Sequence, residues 1–260
     1  MKEEERLIEL LKEGTKILYR EQERTIILCG RPIYHSGEGK TDIYVLLDDG
    51  TELKISVKQS NADFLQNKIT KKWYDDNIGD YSILQNAINK LKPNFLKRQV
   101  FYPEKVGHIK KNSYTMGFRF DIINKSSGKF CTKLELTSAQ KEEILYGINL
   151  PQEKRTVKVK DRLIKDSGVA NCLLLNSESK TTAQEIIDSL SYAKDYKDEM
   201  YATFRAVNYR MDEDKIDGDR ALAVYVNWNN LKEYEMIFDA PLKYGAKRDA
   251  LKHFKEVNNL

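Results

Sequence analysis

The sequence predicts an α/β fold with a mixed central sheet, formed as one compact domain. Residues 43–47 are rich in β-forming side chains, residues 52–58 alternate apolar and polar ones, and a glycine-containing turn lies between them. Residues 169–175 form a short apolar run of the kind expected for a strand buried on both faces. Segments with the periodicity of amphipathic helices precede, separate and follow these strands. With 260 residues, 40% of them hydrophobic, the chain can bury the core that such a fold needs.

The first half of the chain is assigned to elements from its periodicity and its turn residues. Residues 3–13 place leucines and an isoleucine on one helical stripe, Gly50 supplies the positive φ of a hairpin turn, and Pro93 is expected to end a helix. The predicted elements are a helix over 3–13, strands over 25–29, 43–47 and 52–58, helices from residue 61 and over 82–91, and a second hairpin with strands over 115–123 and 129–136 around a turn at 126–128.

In the second half, two capping boxes mark the starts of helices: Thr137 with Gln140, and Thr182 with Glu185. The last third is expected to be rich in strands. The predicted elements are helices over 138–146 and 161–165, a strand over 169–175, a helix over 183–192, strands over 200–210, 221–228 and 234–238, and a helix over 247–257.

The first hairpin brings a carboxylate, a hydroxyl and an amine to one place. Asp42 opens the first strand and Lys58 ends the second, so antiparallel pairing makes these two residues neighbours. Ser56 lies two residues before Lys58 and therefore on the same face of the strand. An acid that binds a divalent cation and a lysine that holds water suit the hydrolysis of a phosphodiester. The alternative is that Asp42 is a strand-edge charge and that Lys58 belongs to a solvated strand face.

K-T-D at residues 40–42, a short hairpin and then S-V-K at residues 56–58 resemble the active-site segment of the PD-(D/E)XK nucleases. Within that superfamily the segment is most similar to small type II restriction endonucleases of the MspI-type group. By position, the resemblance assigns Asp42 as the metal-binding aspartate, Ser56 as the variable acid-or-amide position and Lys58 as the active-site lysine. The chain departs from the pattern in two ways: no proline precedes Asp42, and a serine replaces the usual acid or amide at residue 56.

The resemblance implies a restriction-endonuclease-like αβββαβ core and Mg²⁺-dependent hydrolysis of double-stranded DNA at a short specific sequence. The expected metal ligands are Asp42, the carbonyl of Val57 and Glu4, because the first helix of such nucleases often turns a glutamate toward the metal. Lys58 would position the attacking water, and Ser56 would hold a metal-bound water. For Glu4 the alternative is that glutamates at a helix N-terminus favour the helix dipole and have no other role.

Double-stranded DNA is thus the expected partner, and the chain would act as a monomer or a homodimer. A DNA methyltransferase of the same specificity would be a functional rather than a physical partner. Three alternatives stay open. One is a structure-selective or repair nuclease of the same fold, and another is a DNA-binding module with a vestigial nuclease centre, which the serine at residue 56 makes plausible. The third is a purely protein-binding module.

Two basic segments and the last third of the chain are the expected DNA-binding surfaces. The 68–111 segment contains ten basic and four acidic residues, and the 154–165 segment contains six and one, although the net charge of the whole chain is only +4. Arginine and asparagine in the last third suit contacts with guanine and adenine. For each residue the alternative is an ordinary surface side chain. The residues expected to bind DNA are Lys71, Lys72, Lys110, Lys111, Arg205, Asn208, Arg210, Arg220, Asn227 and Asn229.

Cysteine and histidine, three residues of each, are too few and too scattered for a zinc site or a disulfide framework. No apolar run approaches the ~20 residues of a membrane span, and the acidic N-terminus does not resemble a signal peptide. A cytoplasmic protein is therefore expected. Its single domain, residues 1–260, would combine catalytic-core elements at 1–92 and 154–192, an inserted hairpin at 112–150 and a β-rich recognition section at 200–240.

Overall fold

The computed structural model describes residues 3–35, 39–58, 64–67, 69–192, 199–218, 221–239, 241–242 and 247–260. The chain divides into two compact units. Unit 1 comprises residues 1–65 and 137–198, and unit 2 comprises residues 66–136 and 199–260. The single domain expected from the sequence stays a prediction.

Helices and strands are mixed along the chain, which confirms the predicted α/β class. The helices are α1 (Glu3–Leu10), α2 (Lys71–Asn77), α3 (Tyr81–Leu96), α4 (Ser138–Tyr146), α5 (Gln152–Arg155), α6 (Ala183–Asp188) and α7 (Lys247–Asn258). The strands are β1 (Lys16–Tyr19), β2 (Gln22–Gly30), β3 (Pro32–Ile33), β4 (Ile43–Leu47), β5 (Glu52–Lys58), β6 (Phe64–Gln66), β7 (Phe101–Tyr102), β8 (Ser113–Ile123), β9 (Cys131–Lys133), β10 (Val157–Val159), β11 (Arg162–Ile164), β12 (Cys172–Leu175), β13 (Leu190–Tyr192), β14 (Tyr201–Arg210), β15 (Lys215–Ile216), β16 (Val224–Trp228) and β17 (Tyr234–Ile237). Over the described ranges, none of the helices combines the length and the apolar character needed to cross a bilayer.

Unit 1 is built on a six-stranded mixed sheet in the order β1-β2-β4-β5-β12-β13. Neighbouring strands are antiparallel except β5 and β12, which run parallel with Leu175 beside Lys58. Cys172, Leu173 and Leu174 are each 0% exposed, which confirms the doubly buried strand predicted from their apolar run. α1 and α6 add Leu7 and other apolar side chains to the core of this sheet.

A smaller, three-stranded sheet of unit 1 has the order β11-β10-β3. β10 and β11 form a hairpin that turns at Lys160, whose φ is +51°, and Asp161. The short helix predicted over 161–165 is therefore wrong. Val157 and Val159 alternate with polar residues and bury the same face of a strand, which favours β10. The two-residue turn that follows, with a positive φ at Lys160, then leads into β11 instead of a helix.

Unit 2 is built on an antiparallel sheet with the main path β15-β14-β8-β16-β17. Phe95 of α3 packs on it, with its ring centroid 4.8 Å from that of Phe118 and 5.4 Å from that of Phe204. The helix stop predicted at Pro93 is wrong, because α3 continues to Leu96. A proline inside a helix costs about 3 kcal/mol. Burying the whole Phe95 side chain returns about 2–3 kcal/mol, and each aromatic pair adds about 1 kcal/mol, so the extra turn is favourable.

The second hairpin predicted around residues 126–128 is also wrong, because β8 and β9 do not pair with each other. β14 pairs with both strands, and its Tyr201 lies opposite Ile123 of β8 and Lys133 of β9. A turn signal is local, whereas the choice of a pairing partner depends on which strands bury the most apolar surface together. β8 therefore pairs with β14, which comes later in the chain, and not with β9 as the turn signal predicts.

Other differences concern the ends of elements. The helix predicted over 183–192 ends at Asp188 and is followed by β13. β1 and β2 form a hairpin that the sequence does not signal, since its turn consists of Arg20 and Glu21 with φ of +50° and +64° instead of glycine or asparagine. Of the helix predicted from residue 61, residues 61–63 lie outside the described ranges and residues 64–66 form β6. The helices at 138–146 and 247–257 and the strands of the last third are confirmed.

Candidate functional site

The first hairpin holds Asp42 in place through its backbone. β4 and β5 pair antiparallel as predicted, with Ile43 opposite Ile55. The amide of Asp42 donates a hydrogen bond to the carbonyl of Ile55 at 2.8 Å, and the amide of Val57 donates to Asp42 Oδ2 at 2.7 Å. The hydroxyl of Ser56 lies 3.5 Å from the same carboxylate oxygen, at the far limit of a hydrogen bond. The start of β4 and the end of β5 are thus joined around one carboxylate.

Three charged side chains act on the Asp42 carboxylate. Burial has the largest influence and raises the pKa of Asp42 above its ordinary value. The positive charges of Lys58 and Arg31 oppose this rise, whereas the negative charge of Glu4 adds to it. Asp42 is therefore a partly desolvated carboxylate that would gain from a further cation. Sequence reasoning missed Arg31, because only the fold brings the residue before β3 near the start of β4.

α1 places Glu4 near the carboxylate by burying one helical face. Leu7 is 0% exposed and lies on the same stripe as Glu4. Arg6 fixes the helix, since its guanidinium donates to the carbonyl of Ser177 at 2.9 Å. The charge of Glu4 consequently raises the pKa of Asp42, and metal binding by Glu4 stays a prediction.

Lys40 is a second lysine beside the carboxylate, and the sequence pattern gave it no role of its own. Its Nζ donates to the carbonyl of Ile144, near the C-terminal end of α4, at 2.8 Å. Burial lowers the pKa of Lys40 to about 7, and the nearby charge of Lys58 adds to the lowering, whereas Glu143 and Asp42 oppose it. The K-T-D sequence contains this lysine, but only the contact with α4 shows that it is enclosed.

The carbonyl of Gly168 holds the turn that carries Lys40 and Asp42. It accepts the amides of Lys40 at 2.9 Å and of Thr41 at 3.2 Å. A Cβ atom at residue 168 would collide with the carbonyl oxygen of Lys154, so this close approach of two chain segments requires glycine. The turn is therefore fixed by residues that lie just after β11.

The oxygen donors at this centre fit a magnesium ion. No group of three or more His, Cys, Asp or Glu side chains suited to a metal occurs in the ranges that the structure describes. The centre offers the carboxylates of Asp42 and Glu4 and the carbonyl of Val57, and Mg²⁺ commonly uses one or two carboxylates together with waters and substrate phosphates. A cation there would also relieve the desolvation and the repulsion that raise the pKa of Asp42. Ser56, 1% exposed, supplies only a neutral hydroxyl.

The lysines of unit 2 that were predicted to bind DNA all lie beside acidic side chains. The pairs are Lys71–Asp75 at 2.6 Å, Lys72–Asp76 at 2.7 Å, Lys110–Glu213, and Lys111–Asp212 at 4.0 Å. Exposed pairs of this kind contribute about 0–1 kcal/mol each, so DNA phosphates could replace the acids. Asp212 and Glu213 come from outside the 68–111 segment and make its local charge smaller than the sequence suggests. DNA contact by these lysines stays a prediction.

The residues of the last third differ in exposure and in partners. Arg205 and Asn229 are exposed, whereas Asn208, Arg210 and Asn227 are half-buried. Arg220 lies outside the described residues. Asn208 accepts a hydrogen bond from the hydroxyl of Thr115 at 2.9 Å, and Arg210 pairs with Glu213 at 3.1 Å and Asp217 at 3.3 Å. Base contacts by this set also stay a prediction.

In the 154–165 segment, four of the six basic side chains form no ion pair with an acid that the structure describes. Arg155 pairs with Asp166, and Lys160 pairs with Glu13 at 2.6 Å. The other four form no side-chain hydrogen bond or ion pair with any residue that the structure describes: Lys154, Lys158, Arg162 and Lys165.

Comparison of the chain with protein-family models, with curated proteins and with solved structures finds no significant match.

Proposed function

We propose that the chain is a Mg²⁺-dependent endodeoxyribonuclease of the PD-(D/E)XK superfamily, a type II restriction endonuclease that hydrolyses double-stranded DNA at a short specific sequence. The observation that carries the proposal is that the charges of Glu4 and Lys58 both act on one desolvated carboxylate, Asp42, which the amide of Val57 holds at 2.7 Å. A solvated charge at a strand edge would not have its pKa raised by burial.

The topology of unit 1 supports the same proposal. α1 precedes the antiparallel strands β2, β4 and β5, and β12 lies parallel to β5 in one mixed sheet. This order is compatible with an αβββαβ core, to which β1 and β13 add one strand at each edge.

Each residue of the centre has a distinct part in the proposed reaction. Asp42, Glu4 and the carbonyl of Val57 would hold Mg²⁺, which would supply positive charge to the phosphate and favour deprotonation of the attacking water. Lys58 orients the attacking water and offsets the negative charge that develops on the phosphate as the bond to the leaving oxygen breaks. Ser56 orients a water beside the metal. Base reading is assigned to the last third of the chain.

Plasmid digestion tests the proposal. Supercoiled plasmid is incubated with Mg²⁺ and with the parent protein, Asp42→Asn or the control Asp48→Asn. Asp48 lies at the turn of the same hairpin, where its Oδ2 accepts the amide of Thr25 at 3.1 Å, so the control removes one charge far from the centre. We expect discrete fragments from the parent and the control, and none from Asp42→Asn. A smear would favour the structure-selective nuclease, and equal cleavage by Asp42→Asn would contradict the assigned centre.

Thermal melting provides a second readout that does not depend on cleavage. A cation at ten times its Kd stabilises the folded state by about 1.4 kcal/mol. Added Mg²⁺ or Ca²⁺ should therefore raise the melting temperature of the parent and of Asp48→Asn, but not that of Asp42→Asn. If the parent binds DNA but neither cuts it nor responds to metal, the chain is a DNA-binding module with a vestigial centre.

A further inference from the structure

We propose that the outer face of the three-stranded sheet β11-β10-β3 of unit 1 is the surface on which the backbone of duplex DNA docks, with Lys158 and Lys165 contacting phosphates. The inference rests on the proposed function, because it names the substrate-binding surface of the unit that carries the candidate centre. It differs from the expectation that the lysines of unit 2 supply most of the contacts with phosphate.

The outer face of this sheet is exposed and amphipathic. Lys158 of β10 lies between Ile33 of β3 and Leu163 of β11, and residues opposite each other in an antiparallel pair share a face. Ile33 is 50% exposed and Leu163 is 68% exposed. The inner face is covered, since Val159 packs with Leu28 of the large sheet. A fixed sheet therefore presents one lysine between two exposed apolar side chains.

The two exposed lysines on and beside the outer face form no ion pair within the described chain. Lys158 and Lys165 are exposed and have no hydrogen bond or ion pair to a described residue. The acids nearby already act on other cations: Asp166 is paired with Arg155, and Glu13 is paired with Lys160 and also feels the charge of Arg162. Side chains that need not leave a protein partner can contact phosphate without losing an existing ion pair.

The sheet is joined to the candidate centre at two points. β3 begins at the residue after Arg31, whose charge lowers the pKa of Asp42. Lys165 follows β11, and three residues later the carbonyl of Gly168 accepts the amides of Lys40 and Thr41. A polyanion bound along the sheet would therefore lie beside the carboxylate that the proposed reaction uses.

Duplex DNA is the partner that matches this combination. Phosphates repeat along its backbone and suit several separate cations, and the sugars between them offer apolar surface to Ile33 and Leu163. An acidic protein segment would offer the charge without that regular repeat. If such a segment were the partner, polyglutamate should bind as strongly as duplex DNA, and the experiment compares the two.

The test measures the binding of a 30-base-pair fluorescent duplex in Ca²⁺ over a range of salt concentrations. The hairpin variant is Lys158→Gln/Lys165→Gln. The matched control, Lys12→Gln/Lys16→Gln, removes the same charge from exposed lysines that pair with Glu9 and Glu23. Each lost phosphate contact lowers the slope of log K against log salt by about 0.9, so the hairpin variant should lose about 2 units of slope and bind at least about 10-fold more weakly. The control should lose less than about 1 unit.

Further variants and probes separate the outcomes. Leu163→Gln should weaken binding a few-fold without changing the salt slope, because an apolar contact releases no counterions. Unchanged melting temperatures show that the variants fold. An unchanged slope in the hairpin variant, or equally strong binding of polyglutamate by the parent, would overturn the docking surface. In that case plasmid cleavage by the parent would leave the proposed function standing, whereas a parent that neither binds nor cuts DNA would overturn both.

Discussion

The 68–111 segment of unit 2 and the 154–165 segment of unit 1 are both basic in the sequence, but they differ in how many of their basic side chains have a partner in the fold. In unit 2, five lysines lie beside acids, and Lys92 and Arg98 lie over aromatic rings. In unit 1, four of the six basic residues form no ion pair with a described residue, and only Arg155 and Lys160 do. Counting charges along a segment overestimates the field of both segments, because some of the pairing acids lie outside them: Glu135, Asp212 and Glu213 for the first, Glu13 and Asp166 for the second.

The largest difference between the units should appear in cleavage. Lys58→Met should lower the rate of DNA cleavage at least about 100-fold, because an amine that stabilises developing charge is lost. Asp42→Ala should abolish cleavage and leave DNA binding intact. Lys111→Met, which removes an exposed lysine of unit 2, should leave the rate within about 3-fold of the parent. Single-turnover cleavage under saturating DNA measures all three, and an active Lys58→Met would show that the centre is misassigned.

The next effect concerns whether the lysines of unit 2 face DNA at all. Asp212→Asn/Glu213→Gln would release Lys110 and Lys111 from their acidic neighbours. If these lysines lie near phosphates, binding should strengthen about 10-fold and the salt slope should steepen by about 2 units. Glu23→Gln, which releases the exposed Lys16, is the control and should change neither. No change in the double variant would mean that this part of the 68–111 segment does not face the DNA.

A smaller effect distinguishes an enclosed lysine from an exposed one. The pKa of Lys40 is lowered to about 7, so between pH 7 and about 10 the unfolded chain holds a proton that the folded chain has released. Stability should rise with pH across this window, by about 1 kcal/mol per pH unit, and should not depend on this group below it. Lys40→Met should remove that rise.

The control for this comparison is Lys71, whose pKa is raised by the hydrogen bond to Asp75. Its contribution to stability is lost only at a pH above the ordinary lysine range, so Lys71→Met should not change the pH dependence between pH 6 and 9. Melting temperatures measured at each pH give the comparison. The same pH slope in the parent and in Lys40→Met would show that Lys40 is not enclosed.

The smallest effect is expected for a buried hydroxyl in each unit. Ser56→Ala should slow cleavage only a few-fold and leave the midpoint of a Mg²⁺ titration unchanged, because another water can take the place of the hydroxyl. Ser113→Ala is a matched control, since Ser113 is 1% exposed in β8 of unit 2. A large shift of the midpoint in Ser56→Ala alone would mean that the hydroxyl ligates the metal directly.

The parts of the candidate site that the sequence could predict are those held by one hairpin. Asp42, Ser56 and Lys58 belong to two strands joined by a short turn, so alternation and pairing direction suffice to bring their backbones together. Arg31 and Lys40 could not be recognised in the same way. Their positions depend on β3 and α4, which meet the hairpin only after the sheets and helices of unit 1 have packed.

The same rule explains which parts of the fold were predicted. Helices that begin with a capping box, such as α4, carry their start signal within four residues. β9 and β11 have no such local signal. β9 pairs with a strand far along the chain, and the turn before β11 is charged and contains neither glycine nor asparagine. Pro93 is a local stop signal, yet the burial of Phe95 outweighs it.

The collision that a Cβ atom would cause at Gly168 limits which substitutions this protein can accept. Gly14 and Gly50 have open space around them, so a side chain there would meet only the strain of a positive φ. At residue 168 every side chain is excluded by the backbone of Lys154, on purely steric grounds. One position with no functional group of its own thus becomes as intolerant of change as the charged residues it supports. A search for distant relatives should accordingly require a glycine just after the basic hairpin as well as the motif at residues 40–58.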